Sequence, residues 1–399
     1  MNFQNMNIQK IKTGFLAFFS DHKKVYWFGF VIALVATTLE VMRGRAENYQ
    51  VFSQSTFDFW NGVNPYSPDF VERLGRYFLY TPVFSVLFTP IAYLPGWLGP
   101  FVWNMMNYSL LFLSVMTLPS KIAVPKVKMF LYLLLLLEQS IFPFQYNIVV
   151  CYIFLFAFSL MEKDKPFWAV LLIMISATTK IYGAVELAML FCYKNTLRNF
   201  TYAILIGLVL LTLPVIKTGI DGLLPYYGLW ADNLHEHNMD QSFVSLIHHP
   251  LIRWWMLPHA MLVQIVTIAM LAVGFFCKWR CWKDFRFRAS ALGVIMAWTI
   301  LFSDASEVHT YIIAFAGYLL WFYTQQRQTR FDNIMYWVIL VLFGVMPIDA
   351  LCPPAIHRFE HNVLWLDVIC FTIVWCRMLY TTMCMKPTEG HDQLKQRMQ

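Results

Sequence analysis

The chain has 399 residues, of which 59% are hydrophobic, 18% aromatic and 13% charged, and it carries a formal net charge of +7. An ordinary globular domain is about half apolar and about a quarter charged, so this composition excludes a soluble fold and describes a polytopic membrane protein. No Lys/Arg-rich block interleaves with stacking aromatics, which removes a nucleic-acid partner, and the eight cysteines contain no Cys-X-X-Cys pair, which removes a disulfide framework and a cysteine zinc site.

Lys10, Lys12, Lys23 and Lys24 precede a first apolar run at 25–42 that is followed by no small-residue cleavage site, so the start reads as a retained signal anchor behind a cytoplasmic segment 1–24. A polar, aromatic stretch, 43–96, comes next. Within it, Tyr77 to Leu94 is apolar but interrupted by Pro82 and Pro90, and reads as a re-entrant or interfacial segment on the outer face. Further apolar runs lie at 97–118, 128–142, 147–161, 166–179, 181–193, 199–216, 258–277, 289–303, 309–323, 333–350 and 362–380. Together they predict about twelve helices in one all-α transmembrane domain, 25–380, with a cytoplasmic tail at 381–399. Several runs are shorter than the roughly twenty residues of a free-standing span, so neighbours in a bundle must cover their ends. Lys/Arg bias then places both termini in the cytoplasm and leaves 43–96 and 217–257 outside. All histidines except His22 and His391 fall in outer segments.

The polar residues along this frame are the candidates for chemistry. Arg43, Arg45, Glu47, Asn48 and Tyr49 set two guanidinium groups beside a carboxylate at a membrane surface. They suit a lipid-linked phosphate and an acceptor hydroxyl, or equally a helix end resting on lipid headgroups. Gln145 and Asn147, in F-P-F-Q-Y-N, offer amides to sugar hydroxyls or close a turn. Lys180, in A-T-T-K-I-Y-G, is a lone ammonium in an apolar stretch, where a charge is functional by default, with snorkelling as the alternative. Glu138 and Glu186 are intramembrane acids that such cations could pair. His235 and His237, in H-E-H-N-M-D-Q-S, match no established zinc spacing. Asp304, Glu307 and His309 stand at an outer helix junction as cavity-lining candidates. His357, Glu360 and His361 fit H-x-x-E-H, yet in a short membrane-edge loop with no soluble helix pair around them. Phosphate-cradling Gly-rich motifs and Asp-X-Asp are absent, which leaves nucleotide chemistry and a metal-bound nucleotide-sugar donor without a site.

In order, N-Y-Q-V-F at 48–52, G-V-N-P-Y at 62–66, Y-T-P at 80–82, W-N at 103–104, Q-Y-N at 145–147 and T-K-I-Y-G at 179–183 resemble glycosyltransferase family 87. This is the alpha-mannosyltransferase-like group of the polyprenyl-phosphate-sugar-dependent GT-C superfamily. S-E-V-H-T-Y at 306–311 extends the likeness more loosely. The resemblance implies a GT-C-like bundle with its active site on the extracytoplasmic face, a lipid-phosphate sugar as donor and co-substrate, and inverting transfer without metal or other cofactor. That family usually has Asp, the expected catalytic base, where this chain has Asn48. Glu47 is adjacent, but helix neighbours point about 100° apart, so Asp58, Glu72 and the groups from His235 to Asp240 stay open as alternatives.

The expectation is therefore a glycosyltransferase of the cell (inner) membrane. It would move a hexose, with mannose as one candidate, from a polyprenyl-phosphate donor to a glycan or glycolipid hydroxyl. Glu47 and Asn48 would be catalytic, Arg43, Arg45 and Lys180 would bind the phosphate, and Tyr49, Tyr66, Gln145, Asn147, His235, His237, Glu307 and His309 would bind sugar. Membrane lipids are the other partners. A transporter or flippase of lipid-linked sugars is the alternative, although no internal symmetry of broken helices supports it.

Overall fold

The computed structural model describes residues 17–121, 125–237, 243–348 and 351–387. The side chains of 235–237 and of 362 also lie outside the description. Among the described residues every regular element is helical.

Helix α1 (His22–Met42) starts where the Asp21 carboxylate accepts from the Lys23 and Lys24 amides. It packs on a later helix at Gly29, where the Tyr108 hydroxyl donates to the Tyr26 carbonyl at 2.6 Å and an added Cβ would meet that hydroxyl at 2.5 Å. The stretch expected as an outer loop, 43–96, is mostly helical: α2 (Glu47–Asn61), α3 (Pro68–Leu74) and α4 (Pro82–Ala92). Gly62 and Gly75, with φ of 77° and 67°, end α2 and α3 in the left-handed conformation that glycine adopts without strain. With 11 residues, α4 is about 16 Å long and cannot cross a hydrocarbon core of about 30 Å.

Next come α5 (Gly99–Met116), α6 (Lys126–Ile141), α7 (Asn147–Glu162) and α8 (Pro166–Thr179). The run at 181–193, expected as another α-helix, is instead a 3-10 segment, Ile181–Cys192. Lys180 breaks the α ladder with an extended backbone, φ −138° and ψ 121°, and Gly183 packs so tightly on α8 that an added Cβ would meet the Ala177 amide at 2.6 Å. Helix α9 (Thr196–Thr212) bends by 99° into α10 (Val215–His237) at a break that contains Pro214. Short α11 (Arg253–Met256) leads into α12 (Ala260–Cys277).

Helices α13 (Phe285–Leu301) and α14 (Tyr311–Thr324) are buried on nearly all sides, which explains why they read as apolar all round. They meet through Gly293 and Gly317: a Cβ on Gly293 would lie 2.4 Å from the Gly317 carbonyl oxygen. Around them stand α15 (Arg330–Leu340), extended by a π turn, short α16 (Pro354–Phe359) and α17 (Leu366–Met383).

The twelve apolar runs divide into a few helices that could span alone and many that need neighbours. Among the described residues, His22–Met42, Arg253–Cys277 and Leu366–Met383 are long and apolar enough to cross a membrane alone, with the bent α9 and α10 pair as a fourth. Other runs form helices too short or too polar for that, and neighbours cover them.

Candidate functional site

Three groups of helix ends converge on one cavity of about 700 Å³. The first carries Lys180. Helix α8 ends at Thr179 with orphan carbonyls that need donors, and the Y-T-P segment supplies them: the Thr81 hydroxyl donates to the Thr178 carbonyl, and the Thr81 amide donates to that of Thr179 at 3.3 Å. Tyr146 bonds the Thr179 hydroxyl at 2.8 Å. Landmarks 97 residues apart in the chain are thereby stitched together. Beyond this cap the Lys180 ammonium donates to Asn147 Oδ1 at 2.7 Å, and it lies 4.6 Å from the Tyr182 ring and 5.8 Å from the Tyr80 ring. The two faces and the amide oxygen stabilise a positive charge removed from water.

The second group is the bend between α13 and α14. Its non-helical peptide groups are satisfied from several elements. Gln264 Nε2 donates to the Phe302 carbonyl at 3.0 Å, and Tyr182 donates to that of Ala305 at 3.0 Å. Because a carbonyl only accepts, the 2.7 Å contact between Tyr182 and Ser303 has the serine hydroxyl as donor. The bend presents Asp304 and Glu307 to the cavity, the two carboxylates among the described lining residues. Glu307 pairs with His309 Nε2, and it caps the 3-10 turn Val308–Thr310 before α14: its side chain accepts from the Thr310 amide, and its own amide donates to the Thr310 hydroxyl at 3.0 Å.

The third group is α2 with the link from α3 to α4, which contributes Asn48, Phe52, Arg76 and Tyr80. Arg76 is half-exposed and pairs with the equally exposed Glu47.

The structure brings together some expected site residues and separates others. Asn48, Gln145, Lys180, Glu307 and His309 share the lining. Asn147 stands just behind it, fully buried, as the acceptor for Lys180, and its own amide donates to Gln145 at 3.4 Å. Glu47 reaches the site only through Arg76. Arg43 turns to Glu40 at 3.0 Å, and Arg43 and Arg45 both lie outside the lining, on either side of Gly44 in the turn before α2. Tyr49 is buried against α4 and α5, its hydroxyl donating to the Ile91 carbonyl at 3.3 Å. Tyr66 is buried on Phe78 and donates to the Tyr80 carbonyl at 2.9 Å, so it shapes the wall from behind.

Asn48 is engaged too, donating to the Pro143 carbonyl at 2.6 Å. Of the alternative acids, Asp58 is buried in a pair with Arg73 at 2.7 Å, and Glu72 lies on α3 outside the lining. Glu138 and Glu186 do not line the cavity, and the bonded partner of Lys180 is an amide. The side chains of His235 and His237 lie outside the described residues, as does Asp240. His361 of the H-x-x-E-H match bonds Asp367 at 2.6 Å, and among the described residues no group of three metal-capable side chains gathers.

The sequence reading missed Arg76, which looked like one more outer arginine, and Gln264. The latter carried a signal, since a lone amide in an apolar helix needs a polar partner. Tyr80 and Tyr182 were seen as landmarks and not as the walls of a cation site.

Compared with known proteins, the chain matches the sequence model of glycosyltransferase family 87 over residues 78–303, more than half its length. No curated protein and no solved structure matches it. The matched region contains Tyr80, Gln145, Lys180 and Gln264 and stops just before Asp304 and Glu307.

Proposed function

Since the chain belongs to glycosyltransferase family 87 and is accordingly a membrane glycosyltransferase, we propose that it moves a hexose from a polyprenyl phosphate to an acceptor hydroxyl on the extracytoplasmic face of the cell membrane. Inversion without a metal is part of the proposal, and mannose is the first donor to try. The observation that carries the reading is the single cavity whose lining holds both Lys180 and Arg76 and both Asp304 and Glu307.

In the proposed reaction the Glu307 carboxylate removes the proton from the acceptor hydroxyl as its oxygen attacks the anomeric carbon. The bond from that carbon to the phosphate oxygen breaks on the opposite face, and the electron pair leaves with the lipid phosphate. Lys180 and Arg76 meet the charge that grows there. The Arg76 pair with Glu47 suits this task, because an exposed ion pair is worth no more than about 1 kcal/mol and exchanges readily for a phosphate. His309 holds the Glu307 carboxylate, and Gln145 offers its amide to sugar hydroxyls. Ile181, Val185, Trp298 and Phe302 give the lining an apolar side for the first isoprenoid units. The volume falls in the range of about 300 to 1,000 Å³ that small-molecule sites occupy.

Transfer from radiolabelled polyprenyl-phosphate hexose in membranes tests the reading. Glu307→Gln is expected to lose on the order of 10² to 10⁴ in rate, and Lys180→Ala to lose transfer as well. Unchanged transfer in both variants would sink the reading. Donor that crosses vesicles intact and is never consumed would favour the flippase instead.

A further inference from the structure

The bend that carries Asp304 and Glu307 lies between helices, with Phe302, Ser303 and Ser306 buried and Asp304, Ala305 and Glu307 partly so, and its carbonyls need partners from elsewhere. Several come from one short segment, 243–248, which precedes α11. The Val244 amide donates to the Ser306 carbonyl at 2.6 Å, and the Leu246 amide donates to that of Leu301 at 2.9 Å. Between these two backbone ties, His248 Nε2 bonds the Asp304 carbonyl at 2.9 Å. The carbonyl accepts only, so the imidazole carries its proton on Nε2 and donates.

His248 is 3% exposed, and its ring packs edge-on against Phe243 at 5.4 Å. Phe243 lines the cavity and His248 does not. Burial lowers the imidazole's proton affinity below the ordinary range, with its bond to the Asp304 carbonyl pulling the other way. The side chain therefore reaches the site from behind, through one hydrogen bond to the backbone of a lining residue.

We propose that His248 is a positioning residue for the transfer, fixing the bend so that the Glu307 and Asp304 carboxylates stay in the lining that they share with Lys180. The proposal rests on the reading of the cavity as a transferase site. It differs from a general packing role because it assigns the effect to one donor on one side-chain atom. A glutamine amide can occupy the place of Nε2 and donate to the same carbonyl, whereas leucine fills similar space with no donor.

The test uses the full-length protein purified in detergent or nanodiscs, with polyprenyl-phosphate hexose as donor. His248→Leu is expected to lower kcat on the order of a hundredfold, as a displacement of about 1 Å in a reacting group does, with KM for the donor changed by no more than about twofold. His248→Gln is expected to restore most of kcat. A second readout is independent of turnover: backbone hydrogen exchange in the 301–310 peptide rises in His248→Leu and stays at the wild-type level in His248→Gln. Wild-type kcat or unchanged exchange in the leucine variant would overturn the proposal, as would a glutamine variant as impaired as leucine or a loss confined to KM. If the leucine protein does not survive extraction, His248→Asn, whose amide stops short of the carbonyl, is expected to show the same loss. A wild-type protein with no transfer, combined with the predicted exchange pattern, would count against the transferase reading and leave the tie between His248 and the bend standing.

Discussion

Asn48 shows how a position that resembles a catalytic one can be occupied for a structural reason. Its amide Nδ2 donates to the Pro143 carbonyl at 2.6 Å and holds α2 to the turn that carries Gln145. A carboxylate at that place would face an acceptor. We therefore expect Asn48→Asp to destabilise the protein by about 1 to 3 kcal/mol without raising transfer, measurable as a lower Tm in detergent beside a transfer assay. Lys180 is the opposite case, because its ammonium is held by one amide oxygen and two ring faces and lines the cavity. Lys180→Met removes the donor to the buried Asn147 Oδ1, so a loss of about 1 to 3 kcal/mol is expected, while donor binding weakens. A binding assay with lipid phosphate alone checks the second half of that expectation.

At the scale of elements, the sequence landmarks act largely as stitches between helix ends. Thr81 closes the C-terminus of α8 and so determines where the chain leaves the helix at Lys180. Trp103 and Asn104 do the same service at the end of α6, donating to the Phe144 carbonyl at 3.1 Å and to the Ile141 carbonyl at 3.0 Å. Thr81→Val keeps shape but removes the hydroxyl donor, and a loss of about 1 to 3 kcal/mol is expected for the carbonyl left without it, together with a fall in transfer as Lys180 shifts. Helices α13 and α14 illustrate a second element-level constraint. Their backbones approach so closely at Gly293 and Gly317 that Gly293→Val must push them apart, at a cost of about 1 to 3 kcal/mol. That change sits away from the cavity lining, so reduced thermal stability with residual transfer in the folded fraction is the expected outcome.

At the scale of the whole molecule, buried polar groups form separate clusters. The cavity collects Lys180, Arg76, Asp304 and Glu307, whereas a separate cluster joins the end of α7 to the start of α13. There Arg288 donates to both oxygens of Glu162, at 2.6 and 2.9 Å, and Tyr193 donates to the same carboxylate at 2.8 Å. The Glu162 side chain is 2% exposed. Removing one partner strands the other, so Arg288→Met should destabilise by about 3 to 5 kcal/mol, and the double change with Glu162→Gln should recover part of it. The melting temperatures of the two variants decide this.

Much of the architecture was legible without coordinates. An apolar share above the globular norm points to a protein that sits in lipid, and helices answer the need to satisfy every backbone group within its own segment. The order of the landmarks pointed to the right family, and Lys180, Gln145, Glu307 and His309 were nominated from residue type and local context. What sequence could not determine was pairing. Arg43 and Arg76 both fall in the same segment, 43–96, yet one turns to Glu40 and the other pairs with Glu47 and lines the cavity, which only the folded positions of α2 and α3 decide. The length of the spans was equally hidden: an apolar run records burial, and only packing shows whether lipid or a neighbouring helix provides it. Composition and pattern are local quantities and survive in one dimension, whereas a site built from helix ends up to a few hundred residues apart exists only once those ends meet.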